Sequence, residues 1–215
     1  ICENKYLMYK HFEGKIDVPQ FYLVKTMSEL IKAAEKLGYP KKDIVFKPPE
    51  GKGARGVRVL TEKSNRYELL FNGRPFAKYI SMDELRSTVG KKEIPELMVM
   101  EYLEGVELKI DPVLQNGELL TCSVKNRLNF ASGLAMGFEM IDDNEALDYA
   151  RNLLKHLPMD YCIDISTRGG VLMEINPRVS TYIYSENYCA PYLALKLAMG
   201  EMSANEVRTY QTKLP

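Results

Sequence analysis

The chain has no bias of charge. Lys+Arg and Asp+Glu both number 29, giving a formal net charge of zero, so no basic field points to nucleic acid. No apolar run approaches the roughly 20 residues of a membrane span, and no signal peptide is visible. The expectation is therefore a cytoplasmic protein with neither membrane nor nucleic acid as a partner. Histidine is scarce. His11 and His156 stand near none of the scattered cysteines Cys2, Cys122, Cys162 and Cys189, which form no C-x-x-C pair. That argues against zinc and for reduced, partly buried thiols. No Gly-Lys-Ser/Thr opens a helix, so there is no Walker A loop. Internal repeats and low-complexity tracts are also lacking.

At 215 residues, with 46% apolar and 27% charged residues, the chain suits a soluble fold of one large domain or two small lobes. It opens at Ile1 rather than at methionine, and the expectation is a segment cut from a longer protein. Helices are marked by their caps. Thr26-Met27-Ser28-Glu29 and Ser81-Met82-Asp83-Glu84 read as capping boxes, and Asp142 or Asp143 caps a longer helix that Pro158 stops. Further helices are expected over 4–12 and 191–199. Strands are expected at 21–24, 44–47, 57–60, 97–102, 107–114, 119–126, 161–166 and 171–176, with Asn116-Gly117 a hairpin signal. Helices and strands alternate early and strands cluster later. This predicts an α+β fold with largely antiparallel sheets in two lobes, divided near residues 90–100, as 1–95 and 96–215.

Three constellations could carry chemistry. In the first, the strand ending at Lys47 runs through Pro48-Pro49-Glu50 into Gly51-Lys52-Gly53-Ala54-Arg55-Gly56. Glycines there would let backbone N–H groups approach a polyphosphate, although a solvated hairpin loop explains the pattern equally well. The second is Met100-Glu101-Tyr102-Leu103-Glu104-Gly105-Val106-Glu107. A strand end of this kind can offer backbone groups to an adenine edge and a carboxylate to ribose; an ordinary strand–turn–strand remains open.

The third constellation is Glu174-Ile175-Asn176-Pro177-Arg178. Glu174 and Asn176 share one strand face, and a tip at Arg168-Gly169-Gly170 would set Asp164 directly opposite Glu174. Facing carboxylates repel, and a cation between them would turn repulsion into coordination; a solvated polar face remains open, since a register slip of one residue would separate the carboxylates. Oxygen donors without histidine or thiol suit Mg²⁺ or Mn²⁺. Arg178 could meet a phosphate beside that metal. A basic cluster, Lys125-Asn126-Arg127, is expected to end a strand before the small-residue stretch Ala131-Ser132-Gly133 and could hold an anionic substrate or a transferring phosphoryl group; a solvated strand end explains it equally well.

Taken in order, these segments resemble the ATP-grasp superfamily, in its carbamoyl-phosphate-synthase-like branch of ATP-dependent ligases. The resemblance implies two α+β lobes that hold ATP between them. It gives Lys5 and Lys47 to the phosphates, under a flap carrying Gly51, Gly53 and Gly56. Glu101, Tyr102 and Leu103 fall to adenine and Glu107 to ribose or the metal side. Asp164, Glu174 and Asn176 would hold magnesium, with Lys47, Arg127 and Arg178 neutralising the transferred phosphate. It further implies a small-molecule carboxylate and an amine or thiol nucleophile joined through an acyl phosphate, a missing N-terminal domain, and room for a homo-oligomer. A kinase-like phosphotransferase and a non-catalytic ATP-binding module stay open as alternatives.

Overall fold

A computed structural model describes residues 1–51, 53–65, 67, 78–131, 134–180, 184–185 and 188–210. Its contacts divide the chain into two compact units. The smaller comprises Asn4–Leu7 and Pro19–Leu103, and the larger Ile1–Glu3, Met8–Val18 and Glu104–Pro215. The division thus falls after Leu103 rather than at 95/96. The reason is β5 (Leu97–Glu101), which hydrogen-bonds between β1 (Phe21–Val24) and β2 (Ile44–Lys47) and so belongs to the smaller unit's sheet.

That sheet has the order β1-β5-β2-β3-β4, with β3 at Arg58–Leu60 and β4 at Tyr79–Ile80. Helix α1 (Lys5–Phe12) precedes it. Helix α2 (Met27–Lys36) opens with the capping box read from the sequence: Thr26 accepts from the Glu29 N–H, and the Glu29 carboxylate takes the Thr26 N–H. Its buried face, Leu30, Ala33 and Ala34, joins Val24, Ile44, Phe46, Leu60 and Val99 in one core with α3 (Met82–Val89). Each fully buried leucine or isoleucine there contributes about 1.5–3 kcal/mol.

The larger unit is built on an antiparallel sheet of order β11-β10-β6-β7-β8, with β9 paired to β6. Its strands are β6 (Glu107–Gln115), β7 (Glu118–Ala131), β8 (Leu134–Ile141), β9 (Tyr161–Cys162), β10 (Asp164–Arg168) and β11 (Val171–Asn176). Asn116 and Gly117, both at positive φ, make the two-residue turn between β6 and β7, as the dipeptide predicts.

Two sequence expectations are corrected. Lys125-Asn126-Arg127 lies within β7 rather than at its end, because the cross-strand ladder to β8 continues to Ala131; Ser132 and Gly133 lie outside the described residues. The single strand expected at 161–166 is broken between Cys162 and Asp164, and β9 and β10 pair with different stretches of β6.

Helix α4 (Asn144–His156), capped by Asp143, buries Ala146, Ala150, Leu153 and Leu154 and packs on β6 and β7. Helix α5 (Ala190–Ala198) places Leu193, Ala194 and Leu197 against Val113 and Leu120, with Val207 of the short helix α6 (Ala204–Arg208) and Tyr188 completing that core. A further short pair, β12 (Tyr184–Ser185) and β13 (Tyr188–Cys189), precedes α5. No helix among the described residues is long and apolar enough to cross a membrane. The four cysteines are free thiols of intermediate burial.

Candidate functional site

In the smaller unit, Lys5 and the glycine loop are tied together. The Lys5 backbone N–H donates to Pro49 O at 2.8 Å, its ammonium donates to Gly51 O at 3.2 Å, and Asn4 bridges to Glu50. Lys47 closes β2 and is buried. Gly53 and Gly56 sit in a turn at positive φ, and a Cβ on Gly56 would stand 2.8 Å from the Pro48 ring. Lys52 lies outside the described residues. Glu101 is held at both ends: its N–H donates to Gln20 O at 3.1 Å, and its carboxylate accepts from Gln20 N–H at 2.8 Å. That backbone donor is therefore engaged. Tyr102 and Leu103, half-buried, follow without regular structure.

The larger unit carries a denser arrangement. Alternation along its strands brings charged and polar side chains to one face of the sheet. Glu107, Lys109 and Asp111 come from β6, Lys125 and Arg127 from β7, Asp164, Ser166 and Arg168 from β10, and Glu174 and Asn176 from β11. The strand register sets them in rows: Arg168 lies opposite Glu107, Ser166 sits between Glu174 and Lys109, Lys109 faces Lys125, and Asp164 lies opposite Asn176.

Burying such charges costs several kcal/mol per ion unless each is paired, and the pairing is thorough. Glu107 has Arg127 on one carboxylate oxygen and Arg168, at 2.5 Å, on the other. Lys109 and Lys125 are like charges on directly opposed residues, a repulsive arrangement. Each relieves it by turning to its own acid: Lys125 reaches Asp111 at 2.7 Å, and Lys109 reaches both oxygens of Asp164 at 2.8 and 2.9 Å. Burial pushes the Asp111 carboxyl up, against the pull of Lys125.

The expected Asp164–Glu174 pairing is corrected here. Asp164 is opposite Asn176, and Ser166 is opposite Glu174. The loop is the two-residue Gly169-Gly170, and a β-bulge between the registers absorbs Met173. The bulge restores the parity that the tighter loop would have broken, so Asp164, Glu174 and Asn176 still share a face.

Asp164, 1% exposed, is enclosed by donors. Besides Lys109 it accepts from the Asn176 amide at 3.2 Å and from Arg178 at 3.1 Å. The Lys109 ammonium also lies 2.5 Å from Ser166 Oγ and 3.8 Å from Glu174 Oε1. It fills the position between the two carboxylates that the sequence reading gave to a divalent cation. Among the described residues no group of three or more acidic, histidine or cysteine side chains is disposed to hold a metal; Asn176 would have to complete the set. The donor chemistry, two carboxylates and an amide oxygen, nevertheless fits Mg²⁺. Arg178, its side chain 57% exposed, is the outermost cation of the cluster.

Sequence reasoning missed Lys109, Asp111, Ser166 and Arg168. For Lys109 and Asp111 the signal was available as Glu-x-Lys-x-Asp over 107–111, charges at a period of two inside an otherwise apolar run.

The fold agrees with comparisons to known proteins. A family model described as "ATP-grasp in the biosynthetic pathway with Ter operon" matches residues 93–214. The chain belongs to this ATP-grasp family. Its fold is the α+β ATP-grasp fold with largely antiparallel sheets, as the sequence resemblance implied. Carboxyaminoimidazole ribonucleotide synthase from Aspergillus clavatus complexed with ATP superposes at a TM-score of 0.67 and 14% identity, over 99% of this chain and 55% of that one. D-alanine–D-alanine ligase from Bacillus anthracis gives 0.55 and 18%, over 96% and 64%. The carbamoyl phosphate synthase large chain of Methanobrevibacter smithii is 24% identical over 96% of this chain and 20% of its own. The ATP-grasp chain thus spans a fifth of that curated relative and about half to two thirds of these solved structures.

Proposed function

We propose that this chain is the nucleotide-binding part of an ATP- and Mg²⁺-dependent ligase that joins a carboxylate to an amine or thiol through an acyl phosphate. The observation that carries the reading is the assembly of Asp164, Glu174 and Asn176 on adjoining strands, with Arg178 just past the strand end reaching Asp164, within an ATP-grasp fold. Similar proteins support the reaction class, since an ATP complex, an amino-acid ligase and a carbamoyl phosphate synthase are among them.

On this reading Lys5, Lys47 and the backbone of Gly51, Gly53 and Gly56 receive the phosphates. The strand end at Glu101, Tyr102 and Leu103 receives the adenine, with the Glu101 carbonyl and the Leu103 backbone as the groups for its edge. Asp164, Glu174 and Asn176 hold magnesium, which would neutralise the phosphate oxygens when bound. Glu107, with Arg127 and Arg168 on its two oxygens, is better suited to position those arginines than to bind ribose. The substrate carboxylate attacks the γ-phosphorus of ATP, the bond to the β-bridging oxygen breaks, and ADP leaves. Arg127, Arg178 and Lys47 stabilise the charge in flight. The nucleophile then adds to the acyl carbon, and phosphate departs with its bonding pair.

Glu174→Ala is expected to weaken Mg²⁺-dependent ATP binding at least tenfold, measured by calorimetry with and without the metal. Unchanged affinity and unchanged metal dependence would remove the assignment. A phosphate-release screen over carboxylates and amines would identify the substrates, and a stable phosphorylated product in place of a ligated one would favour a kinase instead.

A further inference from the structure

The Lys109 ammonium makes one set of contacts that the ligase reading leaves unexplained. It is directed by register: Lys109 lies on β6 opposite Ser166, whose Oγ it meets at 2.5 Å, and this aims the ammonium along β10 at Asp164. It grips both Asp164 oxygens, at 2.8 and 2.9 Å, and stands 3.8 Å from Glu174. The lysine side chain is 10% exposed and Asp164 1%. An alternative acid is near at hand on the same strand, but Asp111 is already held by Lys125.

A divalent ion of the magnesium class binds carboxylate oxygen at about 2.0–2.1 Å. An ammonium chelating both oxygens of one carboxylate excludes such an ion from them by volume and by charge. Asp164 cannot keep its Lys109 contacts and serve as an inner-sphere ligand.

We infer that Lys109 is a tethered counter-ion that competes with the divalent cation, so that metal binding at Asp164, Glu174 and Asn176 is an exchange in which the ammonium must leave Asp164. This deepens the proposed function and rests on its metal assignment. The tethered cation removes the repulsion between Asp164 and Glu174 when no divalent ion is bound, and it weakens the intrinsic affinity for that ion by the strength of the contacts to be broken. Added anionic charge from a nucleotide favours the exchange, because the displaced ammonium then has another anion to neutralise. Divalent binding to the protein alone is therefore weak, and it tightens in the presence of ATP.

The test is direct Mn²⁺ binding to the full chain without nucleotide, read from the electron paramagnetic resonance signal of the free ion. Wild type is compared with Lys109→Met and with Lys109→Gln, which keeps a donor for Ser166 and Asp164 and guards against failure to fold in the first variant. Both variants are expected to bind one Mn²⁺ at least tenfold more tightly than wild type, and Asp164→Asn added to Lys109→Gln should abolish the gain. Equal affinity in wild type and Lys109→Gln, or weaker binding in the variant, overturns the inference. ATP binding measured on the same proteins separates the two readings. Nucleotide bound with Mg²⁺ by wild type but no Mn²⁺ gain in Lys109→Gln sinks the counter-ion and leaves the ligase reading standing. A Mn²⁺ gain without ATP binding does the reverse.

Discussion

Lys125→Met should be among the most damaging single substitutions in the larger unit, and its cost should depend on pH. Lys125 and Asp111 are 1% and 3% exposed at the side chain, with Nζ and Oδ2 2.7 Å apart. At an effective dielectric constant of about 20, that separation corresponds to an attraction of about 6 kcal/mol, which the desolvation of both ions largely offsets. Removing the lysine leaves the desolvation of Asp111 uncompensated, an expected loss of about 3–5 kcal/mol near neutral pH.

The sign of the pH dependence follows from burial. Desolvation already raises the Asp111 carboxyl above its ordinary range, with Lys125 opposing. The folded state therefore binds this proton more tightly than the unfolded chain does. The stabilisation is present at acid pH and is lost as pH rises from the ordinary carboxyl range through the folded-state value. Without Lys125 the folded value climbs further, so the penalty grows with pH by up to about 1.4 kcal/mol per unit across that window. Urea unfolding at pH 4.5 and 7.5, followed by tyrosine fluorescence and circular dichroism, measures both terms. Asp111→Asn combined with Lys125→Met should recover most of the loss. A penalty under about 1 kcal/mol at pH 7.5, or one that is equal at both pH values, would refute the reasoning, as would a double variant no better than the single.

Other outcomes follow from local geometry. Gly169→Ala should cost at least about 2 kcal/mol in urea unfolding, because its Cβ would stand 2.5 Å from Glu104 O at a φ of +56°; Gly170→Ala, with nothing within 4 Å, should cost only about 1 kcal/mol. Similar losses in the two would mean the loop adjusts freely. Burial pushes the Cys162 thiol up to about 11, so iodoacetamide at pH 7.5 should modify it roughly 100-fold more slowly than an ordinary cysteine, with the difference vanishing in denaturant; equal rates in the folded protein would contradict this. Thr26→Ala removes the cap on α2 and should lower stability by about 1 kcal/mol, read from the urea midpoint.

Elements whose ends carry their own chemistry were legible in the sequence. Thr26 and the Asp142-Asp143 pair marked helix starts because a side-chain oxygen there satisfies a backbone N–H, with Asp143 the cap in the structure, and Asn116-Gly117 marked its turn because both residues tolerate positive φ. Strand ends set by partners were not legible. β7 runs past Arg127 only because β8 lies beside it, and β5 joins the smaller unit only because β1 and β2 flank it. The same limit governed the site. Alternation put Asp164, Glu174 and Asn176 on one face, but the partner across the ladder depended on a bulge, and the cation between the carboxylates came from β6, more than fifty residues upstream of Asp164. A sequence pattern gives the face on which a charge lies; the neighbour that neutralises it is a property of the sheet.

That bulge is itself held from outside the strand, which gives a last test. Met173 is the residue absorbed between the two registers of β10 and β11, and its carbonyl accepts from the Tyr9 hydroxyl of α1 at 2.7 Å. Burial, with the charge of Glu174 beside it, pushes that hydroxyl far above its ordinary value, so it remains a donor at every working pH. Tyr9→Phe keeps the buried ring and removes only the donor, leaving the bulge carbonyl short of a partner at a cost of about 1–2 kcal/mol. The cost should be local. Amide exchange over 173–176 should quicken roughly tenfold while the β6–β7 ladder keeps its protection. Faster exchange through the whole sheet would make Tyr9 a contributor to global stability alone. No change at 173–176 would mean that the bulge, and with it the shared face of Asp164 and Glu174, is held by the strands themselves.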